Sequence, residues 1–150
     1  METLNLPNFS SVLQYNESKK TIFDNFRKKQ LVLTPEEWVR QNFLMYMVHY
    51  LGFPEGLLSV EMAIELNALK RRCDIVAHNR LGQAKLIVEC KSTSVKLDQK
   101  SFTQIATYNL KLKVDYLVIT NGLNHYCCMM DYKNNSYTFL DKLPLFKDLN

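Results

Sequence analysis

"CDIVAHNRLGQAKLIVECK", Cys73–Lys91, contains two apolar runs separated by a short polar segment with Gly82. Each run has strand character, and the intervening Arg80–Gln83 marks a turn. In a strand, residues two apart share a face. Glu89 and Lys91 therefore project together, while Cys90 turns to the other face with Val88 and Leu86. If the turn is centred between Leu81 and Gly82, Asp74 lies directly across from Glu89. A slip of one residue would move Asp74 to the wrong face. Two opposed carboxylates repel unless something positive stands between them. A divalent cation fills that role, with Lys91 beside it. A solvent-facing Glu–Lys salt bridge is the simpler alternative and is worth at most about 1 kcal/mol.

Working outward, the chain of 150 residues is the size of one ordinary domain. Its apolar content of 47% and charged content of 23% are those of a soluble globular protein. The first thirty residues lack the pattern of a secretory signal, and "FLMYMVHYLGF" is about half of a membrane span. A cytoplasmic protein with no membrane partner is expected. Cys73, Cys90, Cys127 and Cys128 sit in β-like runs without CxxC spacing, and His49, His78 and His125 are scattered. These are expected to be buried, reduced thiols rather than zinc ligands.

The formal net charge of +4 is uneven. Residues 70–113 carry ten Lys/Arg against Asp74, Glu89 and Asp98, so this third is +7 and the remainder −3. That distribution suits a polyanionic partner, although a solvated basic surface has the same composition.

No repeat or linker interrupts the chain. Residues 1–33 read as an extension, with "KKTIFD" and "KQLVL" forming a short hairpin, and residues 34–150 as the main domain. "TPEEWVRQNFLMYMVHYLGFP" is a helix: Thr34 caps it, Pro35 suits the first position, and Glu36 and Glu37 favour its positive end. Gly52 and Pro54 end it. Val39, Phe43, Met47, Tyr50 and Leu51 make its core stripe; Glu36 and Arg40 lie on or beside that stripe, and Glu37 lies well off it. In "LLSVEMAIELN" the residues Leu58, Val60, Met62, Ile64 and Leu66 share one face. "CDIVAHN" and "AKLIVECK" add two strands. "LDQKSFTQIATYNLKLK" is a helix capped by Asp98, "DYLVITN" a buried strand, and "HYCCMMDY" with "SYTFLDKL" a hairpin across Asn134–Asn135. The expected fold is α/β, a central mixed sheet flanked by helices in the order αβββαβ, with a C-terminal hairpin.

The Asp and Glu-x-Lys arrangement resembles the PD-(D/E)XK nuclease superfamily. "PEEWVRQ", "RRCDIV", "VECK" and "QIATYNLKLKVDYLVITNG" together resemble the N-terminal nuclease domain of type I restriction enzyme R subunits, from about residue 34 onward. Gln104-x-x-x-Tyr108 matches a signature of that branch. Residues four apart share a helix face, so Gln104 and Tyr108 point together, with Lys111 nearby. Cys73 stands where the superfamily motif has proline.

The resemblance implies a restriction-endonuclease-like core and Mg²⁺-dependent hydrolysis of DNA, with Mn²⁺ as a substitute. It implies that Asp74, Glu89 and the backbone carbonyl of Cys90 hold the metal, that Lys91 serves the attacking water, and that Gln104 and Tyr108 complete the catalytic set. A helix glutamate is also implied. Helix geometry favours Glu36, beside Arg40, whereas a capping box would engage Glu37. Arg72, Lys96, Lys100 and Lys111 are the expected phosphate contacts. Other restriction-modification or motor subunits are implied partners. These 150 residues contain no GxxxxGK[ST], so cleavage is expected without an ATP-driven motor of their own. A nucleic-acid-binding module with little or no turnover, or a protein-interaction subunit on the same scaffold, are the alternatives.

Overall fold

The computed structural model describes residues 1–66 and 68–149, excluding the side chains of Leu66, Leu69, Thr107, Tyr108, Leu110 and Lys111. After the N-terminal residues come three short strands, β1 (Tyr15–Asn16), β2 (Thr21–Asp24) and β3 (Lys29–Val32), paired antiparallel in the order β1-β2-β3. The expected hairpin is β2–β3. Its connection is organised by Asp24, whose carboxylate accepts from the backbone N–H groups of Phe26 (2.7 Å) and Arg27 (3.1 Å). Phe9, Leu13, Ile22 and Leu33 join the same apolar core as the first helix.

That helix, α1 (Pro35–His49), starts as expected: Thr34 Oγ1 accepts from the Glu37 N–H at 3.0 Å, and Pro35 opens the first turn. Beyond its end, Gly52 takes φ +78°, a region glycine enters without steric cost. Val39, Phe43, Met47 and Leu51 are buried, but Tyr50 is 58% exposed and does not belong to the core stripe. Conversely, Glu37 is buried rather than well off the core face. The reason is that α1 is covered on more than one side. Residues 1–33 pack over its second face, so Trp38, Leu44 and Met45 are buried as well.

The main sheet has six strands in the order β4-β5-β6-β7-β8-β9. These are β4 (Leu58–Leu66), β5 (Leu69–His78), β6 (Ala84–Cys90), β7 (Tyr116–Thr120), β8 (His125–Asp131) and β9 (Ser136–Leu140). Only β6 and β7 run parallel, and the crossover between them is α2 (Gln99–Leu112), the connection a parallel pair requires. Asp98 caps α2 by accepting from the Ser101 N–H at 3.1 Å. The protein is thus mixed α/β with a central mixed sheet, and α1 and α2 serve separate cores. Ile75, Ala77, Leu86, Val88 and Cys90 pack with α1, whereas Val76, Ile87 and Leu117 pack with Ile105 of α2. All four cysteines are buried and free; Cys127 belongs to the first core and its neighbour Cys128 to the second.

β5 is longer than "CDIVAHN" and already includes residues 70–72, paired to β4. The β5–β6 register is Ile75↔Val88, Val76↔Ile87 and Ala77↔Leu86, with an irregularity before His78↔Ala84. The connection is therefore centred on Leu81, and Lys85 is the extra residue that restores the expected register nearer the strand ends.

β4 departs from the expected single apolar face. Leu58 and Val60 pack with the α1-side core, whereas Met62 and Ile64 pack with the α2-side core. β5 changes faces at the opposing position, since Ile75 lies with the first core and Cys73 with the second. Between the pairs Val60↔Ile75 and Met62↔Cys73 stand Glu61 and Asp74. Glu61 has φ +55°, which a residue with a long side chain adopts only at a cost of order 1–3 kcal/mol. The rotation there ends the alternation and frees both acidic side chains from a strict up-or-down placement.

Candidate functional site

One step beyond Ile75↔Val88, the register sets Asp74 across from Glu89. Asp74 is at the end of the ladder, and its side chain takes over the pairing: Oδ2 accepts from the Cys90 backbone N–H at 2.7 Å. Its other oxygen, Oδ1, accepts from Arg40 Nη2 at 2.6 Å. Asp74 thus connects the α1 side of the sheet to β6. It is only 6% exposed, and Glu89 only 5%.

Glu89 and Lys91 share the α2 side, as period two requires. Lys91 Nζ donates to Glu89 Oε1 (3.2 Å) and to Gln104 Oε1 (2.9 Å), and Gln104 Nε2 donates to Glu89 Oε1 (3.3 Å). Both contacts to Glu89 fall on Oε1. Glu89 Oε2 is buried with no hydrogen-bond partner among the described residues. Burial first, and the Asp74 charge second, push the Glu89 carboxyl well above the usual carboxylate range, while Lys91 acts in the opposite sense. Cys90 packs the opposite way, and burial pushes its thiol far up, so its sulfur is a protonated core atom and not a nucleophile.

Arg40 is the cation of the α1 side. Its Nη2 contacts Asp74 (2.6 Å), Glu61 (2.9 Å) and Glu36 (3.3 Å), and its Nη1 contacts Glu37 (2.7 Å). Burial would lower its pKa, but the charges of Asp74 and Glu37 outweigh that and raise it. Arg40 Nε is buried without a partner among the described residues. Glu37 is held in turn by Arg27 Nη2 (3.0 and 3.2 Å) and Gln41 Nε2 (3.1 Å). Arg27 reaches it from the β2–β3 connection, where its Nε also bonds Asp24.

The two helix glutamates therefore divide their tasks differently from a capping box. Thr34 does cap the Glu37 N–H, but the Glu37 carboxylate turns to Arg27, Arg40 and Gln41. Glu36 keeps a side chain 47% exposed and faces the site from the solvent side. Burial and then the Asp74 charge raise its pKa, with Arg40 and Lys91 lowering it.

The structure brings together Asp74, Glu89, Lys91, Gln104, Arg40 and Glu36. The side chains of Tyr108 and Lys111 lie outside the described residues. Of the remaining basic residues, Arg72 is 72% exposed and sits 3.8 Å from Glu61, whereas Lys96 and Lys100 are exposed near the start of α2. Glu37, Arg27, Gln41 and Glu61 belong to the centre although the strand and helix patterns did not mark them. The signal for Glu61 was the β4–β5 register, which sets it across from Asp74. No group of three or more His, Cys, Asp or Glu among the described residues is arranged to hold a metal ion by side chains alone.

A family model described as the type I restriction enzyme R protein N terminus matches residues 35–144. Among solved structures, a fragment assigned as an HsdR subunit of a type I restriction enzyme from Vibrio vulnificus YJ016 superposes with a TM-score of 0.55 at 16% identity. The match covers 76% of this chain and 24% of that chain, so this chain spans about a quarter of that chain's length. At that identity the likeness is one of fold. No curated protein matches the chain.

Proposed function

The chain belongs to the family of type I restriction enzyme R protein N termini, and on that premise we propose that it is a Mg²⁺-dependent nuclease domain of PD-(D/E)XK type that hydrolyses DNA phosphodiester bonds. The observation that carries the reading is Glu89. Its Oε2 is buried without a hydrogen-bond donor among the described residues, its carboxyl lies against that of Asp74, and Lys91 and Gln104 crowd its other oxygen. A buried carboxylate oxygen without a donor is costly unless a cation or proton completes it. The donor set is oxygen-only, as Mg²⁺ prefers. Asp74 uses one hydrogen bond per oxygen, which leaves lone pairs on both.

The residues that would hold the metal are Asp74, Glu89 and the backbone carbonyl of Cys90, and two carboxylates with one carbonyl need no third acidic side chain. Bound there, Mg²⁺ would polarise the scissile phosphodiester and lower the pKa of the attacking water. Lys91, whose Nζ donates to Glu89 and Gln104, would orient that water and offset charge developing on the phosphoryl oxygens. Gln104 fixes Lys91 by accepting from Nζ. Arg40 holds Asp74 from the α1 side, and Glu36 adds a carboxylate at the rim. Tyr108 would complete the α2 face of the site. Arg72, Lys96, Lys100 and Lys111 would bind the DNA backbone through sequence-blind phosphate contacts. The domain would work beside other restriction-modification subunits, including a motor subunit.

The test is cleavage of supercoiled plasmid by the purified protein with Mg²⁺ or Mn²⁺, with EDTA, and with Lys91→Ala. Nicking that requires metal and is lost in the variant is expected. Equal cleavage under all conditions, or none by wild type across wide metal and enzyme ranges, sinks the reading.

A further inference from the structure

One nitrogen of Arg40 is ringed by carboxylates at the edge of the Asp74–Glu89 pair. Arg40 Nη2 lies 2.6 Å from Asp74, 2.9 Å from Glu61 and 3.3 Å from Glu36, three carboxylates supplied by three different elements. Two-metal phosphodiesterase sites place their ions about 3.5–4 Å apart, so that acidic ligands and phosphate oxygens are shared between them. Here Asp74 is the shared group: it meets Arg40 on one side and stands across from Glu89 on the other.

The guanidinium is not a casual surface contact. Arg40 is 6% exposed, and its second terminal nitrogen is pinned to Glu37 at 2.7 Å. Glu37 is braced by Arg27 and Gln41, so the fork is held at both ends. Withdrawing it would leave Asp74 buried without its cation, a costly state, while Glu37 would keep Arg27. Glu61 enters this cage only because of its left-handed backbone (φ +55°), so the local strain is spent on bringing a third carboxylate to the arginine.

We infer that Arg40 is the built-in second cation of this centre, so the site takes a single divalent ion, at Asp74 and Glu89. This rests on the nuclease reading proposed above. Arg40 then acts as a positioning residue: it fixes Asp74 and supplies one fixed positive charge that needs no metal from solution.

The experiment is a count of bound Mn²⁺, followed by electron paramagnetic resonance of the free ion, on wild type, Arg40→Gln and the double variant Glu37→Gln/Arg40→Gln. The double variant removes a buried charge of each sign and keeps the Asp74, Glu61 and Glu36 cage. Wild type is expected to bind about one equivalent, and either folded variant to gain a second once Asp74, Glu61 and Glu36, released from the guanidinium, close on an ion. Two equivalents in wild type overturn the inference while leaving the nuclease reading standing. The same follows if a folded variant still binds one equivalent with unchanged affinity. Wild type binding none overturns the nuclease reading and the inference with it. Should neither variant fold, the wild-type count decides.

Discussion

Arg40 and Asp74, 34 positions apart in the chain, meet at 2.6 Å through Nη2 and Oδ1, and that contact ties the α1 side of the sheet to the end of β5. Asp74 passes the connection on, because its second oxygen accepts from the Cys90 N–H one residue past Glu89. The acidic pair across β5 and β6 is therefore positioned from both sides of the sheet.

Removing Arg40 should cost more than its contacts would suggest. Arg40→Ala leaves Asp74 buried without its cation, while Glu37 keeps Arg27, and removing one partner of a buried ion pair costs about 3–5 kcal/mol. That is a large fraction of a typical domain stability of about 5–15 kcal/mol. Urea denaturation with the slope checked for two-state behaviour measures it. A loss below about 1 kcal/mol would mean the guanidinium is solvated and the buried cage is wrong.

Glu89→Gln separates metal binding from folding. The carboxylate is disfavoured by burial and by Asp74, and a neutral amide of the same shape avoids that cost. In EDTA the variant should melt at or above the wild-type temperature. Wild type should gain stability with millimolar Mg²⁺, as any ligand of the native state provides, and Glu89→Gln should not. Thermal melts of both proteins with and without Mg²⁺ check this; an equal gain in both would remove Glu89 from the metal site.

The strand pair was legible because period two and one glycine turn fix a register, and Asp74, Glu89 and Lys91 follow from it, whereas Gln104 entered through the family resemblance. The register was reached by a different route, through an extra residue at Lys85, because a bulge leaves no mark in the apolar pattern. Glu37 was misplaced because its burial depends on residues 1–33 folding over α1, a contact that no helical period contains. Glu61 was missed because its side chain turns inward only through a positive φ that no residue preference foretells. The same rotation split Leu58 and Val60 from Met62 and Ile64.

Gln104 offers a graded test of the α2 side. It accepts from Lys91 Nζ at 2.9 Å and donates to Glu89 Oε1, so it orients both without touching the opposite face. Gln104→Ala should lower the plasmid cleavage rate by about 10- to 100-fold, the usual loss when a group that orients a metal ligand is removed. DNA affinity, measured by fluorescence anisotropy in Ca²⁺, should stay unchanged. A parallel fall in affinity and rate would recast Gln104 as a DNA contact.

His125 carries the pH dependence of the N-terminal strap. Its Nδ1 faces Thr120 Oγ1 at 2.7 Å, and its Nε2 faces the Asn5 carbonyl at 2.9 Å. Thr120 Oγ1 already accepts from the Gly122 N–H, so its hydroxyl proton is free to point at Nδ1, and the imidazole is the neutral Nε2–H form. Burial pushes its pKa below 6.5, with the Asn5 carbonyl pulling the other way. A folded pKa below the unfolded one means the native state disfavours the extra proton. The stability His125 contributes is therefore present above about pH 6.5 and lost as pH falls through the lower folded value. Between pH 7.5 and pH 5, wild type should lose more stability in urea titrations than His125→Gln does. The strap also holds Leu4 against Gly122 and the Asn5 N–H on the Gly122 carbonyl at 2.8 Å, so amide exchange at Asn5 should quicken at the acidic end once exchange is corrected for intrinsic pH effects. Parallel stability curves for the two proteins would show that His125 titrates alike in both states, and the strap would then be insensitive to pH.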